Sequence, residues 1–454
     1  MNFGKKILNY KEEILSDLAK IIEIPSVASR GRQEAERALE FVLLRGKEFG
    51  LTAENFDNLA GHIKLGNSGK ICGIATHLDV VDGGENWSFD PFTLTRANGR
   101  LYGRGVADDK GAAIITLYCL KALKDECIVG KNTLCAIFGT DEETGMTDLE
   151  HYFSDQQYPD LSFTPDSNYG ICKSEKGILQ AEISTDIYDG TVITEFNAGK
   201  AVNAVPDIAY TLINCSEEEE RRLEQLSKQM AGEFTFKNTI DGLVIISNGK
   251  SAHACEPEKG FNSATALIDL LFGQFSTKEL GSVFEFINRK VGTETNGVSL
   301  GIKMRDASSG ALTLNVGKVN VTNGRASATI DIRYPASVNG QVILTQLEKG
   351  AKQKNVNLKI LNHIPPLNVD TNSDIIKILS SAYKTVTNQE PKLYSTGGGT
   401  YARKMGGNSV GFGPVFDNDD SRMHNSDESL NEDNFWLHAQ ICLQAIYELF
   451  TAEI

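Results

Sequence analysis

The chain lacks the features that mark exported, membrane-spanning and nucleic-acid-binding proteins. None of its apolar runs approaches about 18 residues, and its first residues do not join a positively charged segment to an apolar core. It has no basic run, and 45 Lys and Arg against 60 Asp and Glu give a formal charge of −15, which repels phosphate backbones. We therefore expect a cytoplasmic protein with no membrane or nucleic-acid partner.

Cysteine pairs at metal-binding or redox spacing are also missing. The eight cysteines form no C-x-x-C pair and are scattered, at Cys72, Cys119, Cys127, Cys135, Cys172, Cys215, Cys255 and Cys442. Several lie inside apolar runs, so we expect them to be reduced and buried, as is usual in a cytoplasm. Neither a thiolate metal site nor a disulfide framework is expected.

The first 175 residues alternate short apolar runs with helical segments. At 454 residues the chain exceeds the size at which one core keeps growing, so two domains are expected. Runs that are apolar on both faces indicate buried strands of a mainly parallel sheet with helical crossovers. The predicted strands are Ile71 to Ala75, Leu134 to Phe138 and Leu161 to Phe163, and the predicted helices are Lys5 to Glu23, Gln33 to Phe49 and Gly111 to Lys124.

From about Gly177 the pattern changes to alternating strands and amphipathic helices. A strand, helix and strand occur twice as a weak pseudo-repeat, at Val205 to Asn214, Ser216 to Met230 and Glu233 to Thr239, then at Arg325 to Tyr334, Val338 to Lys354 and Val356 to Leu361. After Ile364 the earlier pattern returns. The sequence thus predicts an α/β domain (1–176 and 365–454) with a mainly parallel sheet and helices on both faces. An α+β lid of two pseudo-repeated units (177–364) is inserted into it.

Polar residues that can bind metals follow each predicted strand of the outer domain. His77 and Asp79 follow the first strand, Glu142 and Glu143 the second, and Asp166 the third. Ligands bind at the carboxyl edge of open α/β sheets, so these side chains are expected to converge. Asp79 is placed to hold the second ring N–H of His77. Taken singly, each residue could equally be a surface charge or a core histidine.

Two further segments carry candidate ligands. The turn Gly103 to Gly111 places Asp108 and Asp109 before a helix, and it lacks the Gly-Lys-hydroxyl ending of a phosphate loop. His424 lies in a polar loop before the last helix. Adjacent residues of an extended segment point opposite ways, so of the paired glutamates one can bind a metal while the other transfers protons. Of the other histidines, four are interpreted as structural, namely His62, His151, His363 and His438.

The order His-x-Asp, Gly-Arg-Gly-Val-Ala-Asp-Asp-Lys-Gly, Asp-Glu-Glu, Pro-Asp and a late His closely resembles a family of dinuclear zinc peptidases. That family includes carboxypeptidase G, aminoacylase, acetylornithine deacetylase, carnosinase and bacterial peptidase V, and the resemblance extends over nearly the whole chain. It implies that His77 and Asp166 bind one cation, that Glu143 and His424 bind the other, and that Asp108 bridges them. Two histidines and three carboxylates suit two zinc ions, although manganese or cobalt would also fit.

The resemblance implies roles for further residues. Glu142 matches the general base, Asp79 the residue that orients His77, and the bond from Asp108 to Asp109 one that is cis in the family. In the middle segment, His253 resembles the histidine that steadies the oxyanion. The residues that resemble substrate contacts are Asn203 and Arg333 in the lid, and Gly398, Gly399 and Thr400 in a loop that cradles the substrate carboxylate. Without the resemblance, Arg333 would be interpreted as a surface charge.

Two features depart from the family pattern. Asp82 stands where relatives often have proline, and an acidic loop of Asp417, Asp419 and Asp420 precedes His424. Neither feature includes a proposed ligand, but the acidic loop could favour a positively charged substrate end.

Three functions remain open at this stage. A dipeptidase similar to peptidase V or carnosinase would hydrolyse dipeptides with a metal-bridging water activated by Glu142. An N-acyl amino acid deacylase, of the acetylornithine or succinyl-diaminopimelate type, would share every ligand, whereas an inert metal-binding protein would need no proton shuttle. Deacylase lids are usually single small units, so the double unit at 177–364 favours the dipeptidase. The second unit could also replace a partner subunit, so we predict an active monomer.

Overall fold

The computed structural model describes residues 2–454, which form two compact units. The first unit runs to Ser174 and includes Leu367–Ser395 and Gly399–Ile454, and the second comprises Glu175–Pro366 and Thr396–Gly398. These limits lie two residues from the predicted 176/177 and 364/365 boundaries, and the short segment Thr396–Gly398 joins the second unit in a way the sequence did not indicate.

The first unit has a nine-stranded sheet whose four central strands are parallel. In spatial order these strands are Thr133–Gly139, Ile71–His77, Leu161–Thr164 and Ser409–Gly411. Antiparallel strands Ala60–Leu65 and Thr52–Phe56 extend one side, and Ile171–Glu175, Leu367–Asn368 and Leu393–Thr396 extend the other. The predicted mainly parallel sheet is confirmed.

Side chains of the central strands alternate between two hydrophobic layers. In Thr133–Gly139, Leu134 and Phe138 join the larger layer, whereas Cys135 and Ile137 join the smaller one. The larger layer contains helices Lys11–Ile22, Gln33–Glu48, Lys110–Asp125, Asp374–Thr387 and Glu432–Thr451, and the smaller one contains Thr147–Asp155 and the 3₁₀-helix Tyr401–Lys404. Because both faces are covered, the strands are continuous apolar runs in the sequence.

The amino-terminal segment forms two consecutive helices instead of one. Where one helix is predicted from Lys5 to Glu23, the structure has a 3₁₀-helix at Phe3–Tyr10 followed by the α-helix Lys11–Ile22. None of the eight cysteines, all within the described residues, forms a disulfide. No helix in residues 2–454 is long and apolar enough to cross a membrane.

The second unit has an eight-stranded antiparallel sheet. From edge to edge the strands are Glu233–Thr239, Gly242–Asn248, Ile208–Ile213, Ile193–Ala198, Thr313–Thr322, Arg325–Tyr334, Gly177–Ser184 and Asn357–Ile364. Its hydrophobic core also contains helices Glu217–Ser227, Ser263–Phe272, Thr277–Leu280, Ser282–Phe286 and Gln341–Lys354, and a π-helical turn at Ile287–Val291.

This sheet consists of two four-stranded halves with the same arrangement. Each half contains one of the predicted strand, helix and strand segments, and in each the two strands are separated by a third strand that is antiparallel to both. The separating strand is Gly242–Asn248 in one half and Gly177–Ser184 in the other. The two predicted segments therefore repeat in spatial arrangement, although the separating strand follows its segment in the first half and precedes it in the second.

Short strands and 3₁₀-helices secure the loops. Arg100–Tyr102 lies between Thr95–Ala97 and Ser429–Asn431, so the glycine-rich turn and the segment after His424 share a three-stranded ribbon. Pro414–Val415 pairs with Ser167–Asn168, next to Asp166. The remaining short elements are the strands Arg305–Asp306 and Gly310–Ala311 and the 3₁₀-helices Ala28–Arg30 and Pro257–Lys259.

Candidate metal centre

Two clusters of metal-binding side chains lie after the parallel strands of the first unit. Within each cluster, the candidate ligand atoms all lie within 4.8 Å of one another. One cluster consists of His77, Glu142 and Asp166, and the other of Asp108, Glu143 and His424. The structure thus brings together all five predicted ligands. It also places Glu142, the predicted proton-transfer residue, in the first of these clusters.

Asp108 joins the two clusters because each of its carboxylate oxygens faces one histidine. Oδ1 lies 2.9 Å from Nε2 of His77, and Oδ2 lies 3.0 Å from Nε2 of His424. The peptide bond from Asp108 to Asp109 is cis, as the resemblance implies. Oδ2 of Asp166 lies 3.9 Å from the same Nε2 of His77. A carboxylate between two imidazoles has the arrangement that a bridge between two cations requires.

His77 is fully buried at the end of its strand and is oriented mainly by a backbone carbonyl. Its Nδ1 lies 2.9 Å from the carbonyl oxygen of Asp79 and 3.5 Å from the carboxylate Oδ1 of the same residue. A carbonyl can only accept, so Nδ1 carries the proton in the neutral ring and Nε2 keeps the lone pair that could bind a cation. The sequence predicts that the Asp79 side chain holds the Nδ1–H of His77, whereas the nearer partner is the Asp79 backbone carbonyl.

The Asp79 carboxylate instead orients the two glutamates. Its Oδ1 accepts the backbone N–H of Glu142 at 3.2 Å, and its Oδ2 accepts that of Glu143 at 3.1 Å. Asp79 itself is completely buried. Because the two glutamates follow each other in the chain, fixing their backbone directs one side chain into each cluster.

A second buried carboxylate, which the sequence analysis missed, holds the start of the same loop. Asp148 Oδ2 accepts the backbone N–H groups of Thr140 at 2.7 Å and Asp141 at 3.0 Å. It also accepts the hydroxyl of Tyr401, whose ring meets that of His77 edge-on at 6.1 Å between centroids. Burial raises the pKa of Asp148 to about 6. No sequence motif marks Asp148, because its partners are backbone groups.

Burial and mutual repulsion shift the pKa values of the acidic ligands. Burial, with the charge of Asp108 added, raises the pKa of Asp166 to about 7. Burial and the charge of Asp166 raise the pKa of Glu142 well above its usual range, and burial and Asp108 raise that of Glu143. The adjacent carboxylates of Asp108 and Glu143 raise the pKa of His424 to about 11. The clusters therefore attract positive charge.

Asp108 is the exception among the carboxylates. Burial opposes its ionisation, but the imidazoles of His424 and His77 outweigh burial and hold its pKa well below the usual range. For His77, burial disfavours the charged ring, yet Asp108 and Asp79 raise its pKa well above 6.5. His77 and Asp108 therefore stabilise each other's charged forms.

The donor set fits divalent cations. Imidazole nitrogens and carboxylate oxygens are the ligands of dinuclear zinc, manganese and cobalt sites. Oε1 of Glu143 is buried and makes no hydrogen bond within residues 2–454, although Nε2 of His424 lies 3.2 Å away. A buried carboxylate oxygen without a donor is unusual in a protein and is typical of an atom that binds a cation.

Residues 73–448 match the model of peptidase family M20/M25/M40. The chain belongs to this family. A Bacillus subtilis protein named "Putative dipeptidase YtjP" is 32% identical over 99% of this chain and 100% of its own. Among solved structures, human carnosine dipeptidase 1 has a TM-score of 0.61 at 15% identity and covers 98% of both chains. Bacillus subtilis YXEP, described as a dinuclear metal binding peptidase, has a TM-score of 0.57 at 11% identity and covers 97% of this chain and 99% of its own. The chain is thus an enzyme of a metallopeptidase family with dipeptidase relatives.

In the second unit of this M20 peptidase, the predicted substrate-binding residue Asn203 and the predicted oxyanion-stabilising residue His253 lie on neighbouring loops. The carbonyl of Asn203 accepts the N–H of Ala254 at 2.9 Å, and Ala204 pairs with His253 in an isolated β-bridge. Nδ1 of His253 accepts the backbone N–H of Cys255 at 3.1 Å and lies 2.9 Å from its Sγ. A backbone N–H can only donate, so the proton of the neutral His253 ring is on Nε2.

Without the family resemblance, Arg333 would be interpreted as a surface charge. In the structure it is only 4% exposed. Its Nε and Nη2 donate to the two carboxylate oxygens of Asp331 at 2.6 and 2.9 Å. Its Nη1 donates to the carbonyl of Gly397 at 3.0 Å, and the N–H of Gly398 donates to Oγ1 of Thr396 at 3.1 Å. Arg333 is therefore held rigidly within the second unit.

The remaining loop residues belong to the first unit, since the boundary falls between Gly398 and Gly399. A Cβ atom on Gly399 would lie 2.8 Å from the guanidinium carbon of Arg403, which is the flexible end of a side chain and could move aside. Oγ1 of Thr400 accepts the N–H of Ala402 at 3.2 Å and caps the following 3₁₀-helix.

The acidic departures from the family pattern have structural partners. Oδ2 of Asp82 lies 2.9 Å from Nη2 of Arg30 in an exposed ion pair. Asp419 is buried, lies 2.8 Å from Nη2 of Arg100 and accepts the N–H of Asn431 at 2.9 Å. Asp419 thus supports its loop, whereas Asp417 and Asp420 are exposed, and the expectation that the acidic loop favours a positively charged substrate end stays a prediction.

The four histidines interpreted as structural all contact side chains outside the two clusters. His62 and His438 are buried, each with Nδ1 at 2.8 Å from a tyrosine hydroxyl, and burial lowers their pKa values to about 4 and about 3. His151 contacts Asp57, and His363 contacts the hydroxyl of Tyr334.

Proposed function

We propose that this M20 peptidase hydrolyses dipeptides at two divalent cations, zinc being the best fit and manganese or cobalt alternatives. His77 and Asp166 would hold one cation, Glu143 and His424 the other, and Asp108 both. The observation that carries the proposal is the position of Asp108, with one carboxylate oxygen within about 3 Å of each histidine. The relatives described as dipeptidases support the substrate class.

Two bound cations would supply Lewis-acid activation of a water molecule and polarisation of the scissile carbonyl. Glu142 then accepts the proton of the attacking water and passes it to the leaving amine. The hold of Asp79 on the Glu142 backbone keeps this carboxylate in one place for both transfers.

His253 serves as the donor that stabilises the oxyanion of the tetrahedral intermediate. Support comes from its surroundings in the second unit, because the Cys255 N–H occupies Nδ1 and leaves the proton on Nε2. Asn203 and Arg333 bind the substrate, and Asp331 fixes the Arg333 fork for that purpose. Gly398, Gly399 and Thr400 bind the substrate carboxylate through backbone N–H groups.

The enzyme acts as a monomer in the cytoplasm. The repeat of four strands within the second unit supports this proposal, because a second half can replace the contribution of a partner subunit. The absence of disulfides among the eight cysteines agrees with a reducing compartment.

A substrate panel tests the proposal. The purified protein, loaded with zinc, is assayed against dipeptides, tripeptides and N-acetylated amino acids under one set of conditions. We expect kcat/KM for the best dipeptide to exceed that for every tripeptide and acetylated amino acid by at least about tenfold. A substrate that leaves a polar group in a closed site without its hydrogen-bond partner loses that much or more in kcat/KM. A preference for acetylated amino acids would instead establish the deacylase.

A further inference from the structure

A buried ion pair outside the two clusters connects three loops of the first unit. Nη1 of Arg104 lies 2.5 Å from Oε2 of Glu428, and each side chain is 1% exposed. Nη2 of Arg104 also donates to the carbonyl oxygens of Asp82 and Asn425, each at 3.1 Å. One guanidinium therefore contacts both the loop that follows His77 and the residue next to His424.

The other oxygen of Glu428 holds the glycine-rich turn. Oε1 accepts the backbone N–H groups of Gly105 and Ala107 at 3.0 Å and that of Asp108 at 3.3 Å. The Glu428 carbonyl also accepts the N–H of Gly103 at 3.1 Å. This carboxylate thus determines the backbone path that leads to the bridging aspartate.

The two histidines depend on this ion pair to different extents. His77 ends a central strand, is completely buried and has its own carbonyl partner in Asp79. His424 lies outside regular structure at a φ of 62°, and its side chain is 55% exposed. Its immediate neighbour Asn425 is bound by Arg104, so the position of His424 relies on the ion pair.

We propose that Arg104 and Glu428 are positioning residues that set the separation of Asp108 and His424, and with it the cation affinity of the Asp108, Glu143 and His424 cluster. The inference rests on the proposed function, because it takes both clusters as cation sites. Residues that orient ligands change metal affinity by about 10–100-fold when they are replaced. The His77 cluster shares Asp108 but has the Asp79 carbonyl as an independent support, so its affinity changes less.

The test is zinc titration of the metal-free full chain by calorimetry, with Glu428→Gln compared with the parent. The amide keeps the size of the side chain but places a donor against either Arg104 or the backbone N–H groups. We expect the parent to bind two zinc ions, and the variant to bind the zinc ion of the His424 cluster about 10–100-fold more weakly, with a smaller loss at the His77 cluster, which shares Asp108. Its kcat recovers at saturating zinc while KM for the dipeptide stays unchanged, which a general loss of structure would not produce.

A matched control is Glu432→Gln, which breaks the ion pair of Glu432 with Arg96, a residue that is 55% exposed. This variant should keep both parental zinc affinities. Two parental affinities in folded Glu428→Gln would overturn the inference. If that variant does not fold, Arg104→Lys replaces it, because lysine keeps the charge but cannot span the same acceptors, and two parental affinities there would equally overturn it. Fewer than two zinc ions on the parent would instead overturn the proposed function of the clusters.

Discussion

The two units hold their functional side chains by opposite electrostatic arrangements. In the first unit, four carboxylates of the clusters surround two histidines, and the repulsion among them raises the pKa values of Asp166 and Glu142. In the second unit, the buried charge of Arg333 is paired with Asp331, and His253 is oriented by a neutral backbone group. The first arrangement is incomplete without positive charge, whereas the second is complete in the protein alone.

This difference separates the expected effects of mutation. Substitutions in the clusters should change metal content, or the dependence of activity on metal, together with turnover. Substitutions of the predicted substrate-binding residues should change turnover or KM at full metal content. The predictions below are ordered by the size of the expected effect.

Removal of the metal should abolish hydrolysis completely. Exhaustive chelation leaves the clusters without the positive charge that activates water, and zinc, manganese or cobalt should restore activity. Metal content and dipeptide hydrolysis are measured on the same samples before chelation, after it and after reconstitution. Hydrolysis that persists in a sample shown to be metal-free would contradict the role of both clusters.

Glu142→Gln should keep two metals and lose at least about a thousandfold in kcat, since a general base commonly contributes 10²–10⁴-fold. Its matched partner Glu143→Gln should lose metal, because the neighbouring side chain is a ligand. Metal analysis and kcat are measured for both variants. Because Glu142 lies within 4.8 Å of the ligand atoms of His77 and Asp166, metal loss in Glu142→Gln would identify it as a ligand instead.

Two substitutions of His253 separate the ring nitrogens. The amide nitrogen of glutamine can replace Nε2, whereas that of asparagine reaches only the position of Nδ1. Loss of one oxyanion donor costs about 10²–10³ in kcat, so His253→Asn should show that loss and His253→Gln should retain more activity. Both variants should keep two metals. Equal, parental activity in both would show that His253 does not stabilise the transition state.

The metal-free protein should lose stability as the pH rises from about 4 to about 7. The pKa of Asp166 is raised to about 7 in the folded chain by burial and by Asp108, and those of Glu142 and Glu143 are raised as well. In this window the unfolded chain binds fewer protons than the folded one, so the free energy of unfolding falls with pH. Tm is measured by calorimetry for metal-free and zinc-loaded protein, and an equal dependence in both would contradict this explanation.

Local sequence patterns predicted the elements better than the contacts between them. The central strands lie within about two residues of the predicted apolar runs, because burial on both faces leaves a continuous signal. The ligands follow from their place after those strands and from the order of the motifs. Arg104 lies inside the glycine-rich motif and Glu428 four residues after His424, yet their pairing spans 324 residues and has no local signal.

The same limit explains why the further partners of Asp79 and Asp419 were not predicted. Spacing placed Asp79 beside His77 correctly, but spacing cannot show that its carboxylate meets backbone N–H groups more than 60 residues away. Asp419 has the sequence context of an exposed acidic loop, and only the fold reveals that Arg100 neutralises it. Partners that are distant in sequence decided whether a charged residue was available to a ligand.

The last prediction expects no effect at all. If one chain supplies both the clusters of the first unit and the substrate-binding residues of the second, mixing two inactive variants cannot restore a complete set. Glu142→Ala and His253→Ala proteins are therefore mixed in equal amounts, and we expect no more dipeptide hydrolysis than the sum of the two alone. The repeat of four strands in the second unit is the reason, since it provides within one chain the half that a partner would otherwise add. Parental protein diluted with Glu142→Ala protein serves as the control and should lose activity only in proportion to dilution. Substantial hydrolysis in the mixture would require His253 to act on the metal centre of another chain, and the prediction of an active monomer would be wrong.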